Sequence, residues 1–354
     1  TTLYYYLKIS AFDNIFASYY NIITISRVKT ASYFRLPAAA KPSGCCGCMS
    51  CRVCTNKPVI SRRYSGEQLC HRHFVSAVEK VVQRELRKQV AALETNGSRL
   101  QRVAVALSGG KDSTVALHLV QEWASARRLE MVALAVDEGI AGYRSSALKC
   151  ARSCCDALGV ELRVSSYHDL IGIGLDEMLQ VQPPAGSACS PCGILRRRAL
   201  NFAARDAGVD ALVMGHNLDD CAQTVLMNHT RGDVARLQRM APHLHRQPGM
   251  VPRLLPLRRI PEQEVYLLAL LQGWKFHDGD CPHAAKAQRN LFRELLLQLE
   301  HAQPGTRYGL LRGMDRLRES LAPPQPLANC PTCGEPAGGE GECQFCRQFG
   351  AFAV

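Results

Sequence analysis

Residues 103–113 read VAVALSGGKDS, and this stretch leaves the chain few folds to choose from. Val103–Leu107 is a continuous apolar run, the pattern of a strand buried on both faces. Ser108-Gly109-Gly110 breaks the run, and helix-forming residues resume near Thr114. The same alternation continues downstream. Met131–Val136, Val160–Ser165 and Ala211–Met214 read as strands. Helical patterns cover about Tyr143–Leu158, Ile194–Ala207, Leu218–Asn228, and residues 262–272 and 285–301. Strands alternating with helices predict an α/β fold, a parallel sheet with right-handed crossovers flanked by helices. An amphipathic helix over 76–95 precedes it, closed by Asn96-Gly97-Ser98.

Hydrophobic residues make up 47% and charged residues 21%, enough apolar content for a packed core. No apolar run reaches the about 18 residues that a bilayer demands, so no membrane partner is expected. Lys and Arg number 43 against 31 Asp and Glu, a net charge of +12, which favours a polyanionic partner. The 17 cysteines cluster in C-x-x-C pairs, which points to metal sites in a reducing, cytoplasmic setting and not to a secreted disulfide scaffold.

Four regions follow. Residues 1–44 hold six of the eleven tyrosines and Asp13 as their one acid, an atypical extension read either as an acid-poor leader or as an unstructured addition. Residues 45–75 form an N-terminal zinc finger, 76–322 the catalytic domain, and 323–354, after Pro323, Pro324 and Pro326, a C-terminal zinc ribbon.

The glycine turn is a phosphate site. Gly109 and Gly110 permit positive φ and close backbone approach, and the following helix offers free N–H groups and its dipole to an anion. Lys111 adds charge, and Ser108 and Ser113 add hydroxyls. A Walker loop requires Gly where Val105 stands, so this is no GTPase-type loop. SGGKDS at a strand-to-helix turn resembles the PP-loop of ATP pyrophosphatases, which split ATP to AMP and pyrophosphate. That resemblance implies an adenine nucleotide alpha hydrolase-like sheet. It places ATP at Ala106, Ser108–Ser113, the strand end at Asp137, and Gly215, with Asp112 positioning phosphates or Mg²⁺. GHNLDD (Gly215–Asp220) follows the fourth strand into the same crevice. Asp220 is the candidate for acid–base or Mg²⁺ work; Asp219 reads either as a site group or as the cap of the next helix.

Three cysteine sets remain. Cys51-x-x-Cys54, 15 residues, then Cys70-x-x-His73 suits tetrahedral Zn²⁺. Cys48-x-x-Cys51 is the competing register beside Cys45 and Cys46; Cys51 and Cys54 are preferred because Lys57–Ile60 after them reads as a hairpin. Cys330-x-x-Cys333, nine residues, then Cys343-x-x-Cys346 suits a closed four-thiolate Zn²⁺ ribbon. Cys189-x-x-Cys192 has no second pair. Cys281 is the candidate third member and Cys221 a further neighbour. By spacing, an iron–sulfur cluster with one open iron, zinc, and dithiol chemistry all fit.

Taken in order, the Cys51/Cys54/Cys70/His73 finger, SGGKDS, DEGIAGYR from Asp137, CSPCG from Cys189, GHNLDD, Cys281 and the ribbon resemble the tRNA 2-thiolation enzymes of the TtuA group and their wobble-uridine relatives. The resemblance implies a 4Fe-4S cluster on Cys189, Cys192 and Cys281, two structural Zn²⁺, and Asp220 at the family's catalytic aspartate. It also implies a ubiquitin-like sulfur carrier with a C-terminal thiocarboxylate and a homodimer. Bacterial members carry Lys where Arg196 stands; Arg keeps the charge for an α-phosphate but not the proton chemistry. RRRAL and Met227–Asp233 (MNHTRGD) point to the wobble-uridine branch. The expected reaction is adenylation of a tRNA uridine at the C2 oxygen, then replacement by sulfur. Cytidine 2-thiolation and a non-catalytic zinc-ribbon adaptor that binds tRNA are the alternatives. Arg196–Arg198, Arg231, Arg258 and Arg259 are candidate phosphate contacts.

Overall fold

The computed structural model describes residues 50–94, 99–243, 245–321, 325–338 and 341–352. The 1–44 extension, Cys45, Cys46, Cys48 and the Pro323-Pro324 linker lie outside them. Two compact units emerge, one ending at Ala77 and one from Val78 onward. In the first, strands β1 (Ile60–Arg62) and β2 (Glu67–Leu69) form an antiparallel hairpin. Helix α1 (His71–Leu93) follows β2 along the chain. It starts earlier than the 76–95 pattern predicts, because His71-Arg72-His73 carry no apolar signal and still complete its first turn.

The second unit is built on β3 (Arg102–Ala106), α2 (Lys111–Arg127), β4 (Glu130–Asp137), α3 (Arg144–Leu158) and β5 (Glu161–Ser166). Then come α4 (Tyr167–Ile171), α5 (Leu175–Val181), α6 (Cys189–Asp206), β6 (Ala211–Val213), α7 (Leu218–Thr230), α8 (Val234–Gln238) and β7 (Arg253–Leu254). Helices α9 (Glu262–Leu271), α10 (Arg289–Ala302) and α11 (Thr306–Ser320) complete the domain. The strand order is β5-β4-β3-β6-β7, every neighbouring pair parallel. The chain leaves β3 toward β4 on one side and later returns to β6 on the other. The carboxyl end of β3 is therefore a topological switch point, where open α/β sheets bind ligands.

The short helices α4, α5 and α8, strand β7 and helix α11 all exceed the sequence expectation. Strand β7 is two residues long, too short for a periodic signal. Helix α11 buries only Arg307, Leu311 and Met314, so its apolar stripe is faint against its charges. Helix α6 also begins at Cys189, not after the C-x-x-C pair at Ile194. Pro191 is its third residue, a first-turn position where no intrahelical N–H is lost.

Helix α6 lays Leu195, Ala199 and Leu200 over the sheet residues Val132, Leu134 and Val136. Strand β9 (Pro336–Ala337), paired with the exposed β8 (Ala328–Asn329), and helix α12 (Gln344–Phe349) share that core through Ala337, Phe345 and Phe349. Arg198 of α6 stands over the Phe345 ring at 4.3 Å, and Arg205 pairs with Glu335 at 2.7 Å. The C-terminal ribbon thus packs directly on the helix that begins with Cys189.

Candidate active site and metal centres

The phosphate loop is held open by its own hydrogen bonds. Ser113 Oγ donates to the Gly110 carbonyl at 2.9 Å and accepts from the Ser108 amide at 3.1 Å. Gly110 precedes α2 with no side-chain cap, so the first amides of α2 remain free for an anion. Two glycines are fixed by neighbours. Gly109 has φ +89, and a Cβ there would lie 2.1 Å from the Ala147 oxygen. At Gly215 a Cβ would meet the Asp112 carbonyl carbon and the Ser113 nitrogen at 2.9 Å. The end of β6 and the start of α2 can approach this closely only through glycine.

Lys111 Nζ lies 3.0 Å from Asp112 Oδ2 and 2.7 Å from Glu262 Oε1. Burial opposes its charge, but the two carboxylates outweigh it and hold its pKa above the ordinary lysine range. Asn217 ties the loop to GHNLDD. Its Nδ2 donates to Asp112 Oδ1 at 3.0 Å, and its Oδ1 accepts from the Asp220 amide at 3.0 Å, capping α7. Asp112 and Asp220 therefore share one side of the crevice, and the Asp112 carboxyl is pushed up by burial and by the Asp220 charge. Asp137 accepts from the Gly139 amide at 3.0 Å at the end of β4.

Asp219 does not cap α7, as one sequence reading had it; Asn217 does. Asp219 is buried, accepts from the Glu262 amide at 2.8 Å and pairs with Arg307 at 2.6 Å. It locks α7 to α9 and α11.

Cys189 and Cys192 lie in the first turn of α6, Cys189 exposed and Cys192 buried. Cys281 lies half-buried in the loop before α10, packed against the core that holds Cys192. Burial raises the Cys192 and Cys281 thiols, and the Cys281 charge is felt at Cys192 as the Cys189 charge is felt at Cys281. The loop carrying Cys281 is tied to the phosphate loop by His277, whose amide donates to the Gly109 carbonyl at 2.8 Å. Arg196 Nη2 donates to Cys192 Sγ at 3.4 Å while its Nε donates to Glu138 at 2.9 Å. Tyr167 Oη lies 2.7 Å from the Cys192 carbonyl and 3.3 Å from its sulfur. Cys221 is excluded from this set. It packs among Leu218, Leu255 and Leu311, and burial pushes its thiol up to about 12.

The ligand atoms of Cys51, Cys54, Cys70 and His73 all lie within 4.8 Å of one another, as do those of Cys330, Cys333, Cys343 and Cys346. A tetrahedral zinc with about 2.3 Å bonds to sulfur and about 2.05 Å to nitrogen sets S···S near about 3.8 Å and S···N near about 3.6 Å. Cys54–Cys70 and Cys333–Cys343 measure 3.7 Å, and both Cys51 and Cys70 stand 3.4 Å from His73 Nδ1. Hydrogen bonds favour thiolate at Cys330, while burial and the neighbouring thiols raise Cys343 and Cys346. The Cys343 amide donates to Cys330 Sγ at 3.3 Å and leads the groups that lower its pKa to about 6. Both sets fit Zn²⁺.

Residues that sequence reasoning did not assign complete the site. Glu138 and Arg144, inside DEGIAGYR, form a buried pair at 2.8 Å, and Arg144 Nη1 donates to the Ser108 carbonyl at 2.6 Å. Glu262 comes from α9 and Arg289 from α10. Arg289 reaches the Asp220 carbonyl at 3.1 Å and its carboxylate at 3.8 Å. No local pattern marks either. Two proposed phosphate contacts are corrected: Arg258 and Arg259 are consumed by Asp315, at 2.6 and 2.9 Å, and by Glu85. They staple α1 to α11.

The parallel sheet, the strand–SGGKDS–helix turn and the GHNLDD crevice define a PP-loop domain, and the PP-loop domain model matches residues 78–300. The tRNA 2-thiolation protein NcsA of Haloferax volcanii is 35% identical over 317 residues, spanning 84% of this chain and 98% of its own length. Cytoplasmic tRNA 2-thiolation protein 1 of Mus musculus is 37% identical, spanning 84% of this chain and 71% of its own. The U34-tRNA thiolase NcsA of Methanococcus maripaludis, solved with its 4Fe-4S cluster, aligns with a TM-score of 0.73 at 33% identity, covering 86% of this chain and 97% of that one. The chain belongs to this family of tRNA 2-thiolation proteins. No helix among the described residues is long and apolar enough to cross a membrane.

Proposed function

We propose that the protein is an ATP-dependent, AMP-forming tRNA-uridine 2-sulfurtransferase acting at the wobble position. The observation that carries this reading is the tie between two sites: the loop bearing Cys281 is hydrogen-bonded to Gly109 of the phosphate loop at 2.8 Å. A nucleotide site and an incomplete thiolate trio so joined suit activation and sulfur replacement at one base.

In the first step the uridine C2 oxygen attacks the α-phosphorus of ATP, and the Pα–O bond to pyrophosphate breaks. The free amides of α2 and Lys111 take up pyrophosphate charge. ATP competes with Asp112 and Glu262 for the Lys111 ammonium, so the lysine is charged and positioned before substrate arrives. Asp112 and Asp220 together suit Mg²⁺, and Asn217 fixes their spacing. In the second step sulfur bonds to C2 and AMP departs with the former C2 oxygen. Bound to Cys189, Cys192 and Cys281, a 4Fe-4S cluster supplies an iron without a protein ligand, suited to presenting sulfide. Arg196 keeps a positive charge beside Cys192, and its guanidinium suits an α-phosphate oxygen. The base must leave its stack to enter, which suits an anticodon-loop nucleotide.

Wobble specificity draws support from the U34 thiolase NcsA and from MNHTRGD. A cytoplasmic setting draws support from the named cytoplasmic relative. Neither cytidine thiolation nor a non-catalytic adaptor gains support from these relatives. Two Zn²⁺ in the knuckles, a thiocarboxylate-bearing carrier and a homodimer belong to the same reading. The test is anaerobic reconstitution with tRNA, sulfide and ATP, with mass analysis of the nucleosides. 2-Thiouridine at the wobble position with AMP release is expected. Full activity in Cys281→Ala, or thiolated cytidine, overturns the reading.

A further inference from the structure

A cleft of about 1690 Å³ lies between α6, the segment from α7 to β7, α11 and the ribbon, and the functional reading so far leaves it unused. At one end it reaches Cys189 and Arg289, the latter bonded to Asp220. Its walls are rich in arginine, and their charges are unevenly matched. The carboxylates of Glu85, Asp315 and Asp233 are already bound to Arg258, Arg259 and Arg236. Arg197 and Arg253 have no carboxylate partner among the described residues. They repel each other, and burial plus the Arg197 charge lowers the Arg253 pKa to about 10. Arg253 is half-buried and Arg197 exposed, so the cleft wall presents two neighbouring cations to solvent with no carboxylate paired to either among the described residues. An anion entering the cleft would meet both and offset their mutual repulsion.

The wall beside them is shaped for more than a free ion. Arg198 stands over Phe202 at 4.8 Å and over Phe345 at 4.3 Å. This fixes a planar guanidinium on an aromatic support, a surface on which bases stack.

We propose that this cleft seats the ribose-phosphate backbone of the RNA substrate, with Arg197 and Arg253 holding phosphates next to the nucleotide that enters the site. The inference rests on the reading of the chain as a tRNA thiolase. It assigns the ribbon a wall of the RNA channel, since Phe345 lies between its last two cysteines. Guanidinium forks match phosphate oxygens in pairs.

The test is tRNA affinity against salt for the metal-loaded full chain. Arg197 is exposed, so Arg197→Gln is expected to fold. Arg197→Gln/Arg253→Gln should weaken tRNA binding at least tenfold at 0.15 M salt and flatten the log–log salt slope by about 1.4, or about 0.7 per lost contact to single-stranded RNA. Arg253→Lys should keep the slope while losing part of the affinity. ATP-analogue affinity should stay unchanged in each, and Arg152→Gln, on α3 and outside the cleft, should bind tRNA like the parent. Parental affinity and slope in Arg197→Gln and in the double variant would overturn the cleft assignment and leave the thiolase reading standing. A parent chain that thiolates no tRNA would overturn both.

Discussion

Glu138 is the residue whose removal discriminates best between a packed scaffold and a wired site. Its carboxylate is buried between Arg144 at 2.8 Å and Arg196 at 2.9 Å, and Arg144 continues to the Ser108 carbonyl at 2.6 Å. One buried anion therefore spans the route from the phosphate loop to Cys192. In Glu138→Gln the shape is kept and the charge lost. Arg144, with a side chain only 4% exposed, is then left with the Ser108 carbonyl in place of a carboxylate. Breaking a buried pair by removing one partner costs about 3–5 kcal/mol, chiefly the desolvation of the orphaned charge. Guanidinium-chloride unfolding of metal-loaded protein should read that loss. In Glu138→Gln/Arg144→Met, where both charges are gone, at least about half of it should be regained. ATP-analogue affinity should fall in the single variant, because Arg144 no longer holds Ser108. A loss below about 1 kcal/mol, or a double variant as unstable as the sum of the singles, would refute the reasoning.

Lys111→Ala should lower AMP formation by roughly 10²–10³-fold, the usual effect of deleting one preorganised donor, measured by release of labelled AMP. Gly215→Ala should destabilise by about 1–3 kcal/mol and weaken nucleotide binding, since its Cβ would stand 2.9 Å from the Asp112 backbone. Cys330→Ser should drop the zinc content by one equivalent and leave the iron content unchanged, as counted by metal analysis. Burial and the charges of Arg253 and Arg318 hold His243 down to about 4. Its neutral form stabilises the fold above its unfolded pKa of about 6.5, and that contribution is lost as pH falls toward 4. His243→Asn should therefore flatten the stability profile between those two pH values.

The sequence by itself determined four of the five sheet strands and the two clusters of four metal-type ligands. VAVAL followed by SGGKDS carries its own period, breaker and helix start, and each C-x-x-C turn brings its two donors together locally. Helix α11 and strand β7 left no such trace. One hides its short apolar stripe among charges and the other is two residues long. Tertiary structure decided which charges are available for chemistry. Arg258 and Arg197 are both arginines in basic stretches, yet Asp315 and Glu85 neutralise the first and nothing among the described residues neutralises the second. Cys221 and Cys192 are both cysteines of neighbouring helices, yet one faces leucines and the other Arg196 and Tyr167. Local sequence fixes backbone period and ligand spacing because both are short-range. The charge state and accessibility of a side chain depend on what the rest of the chain places against it, and Glu262, Arg289 and Asp315 arrive there from far along the sequence.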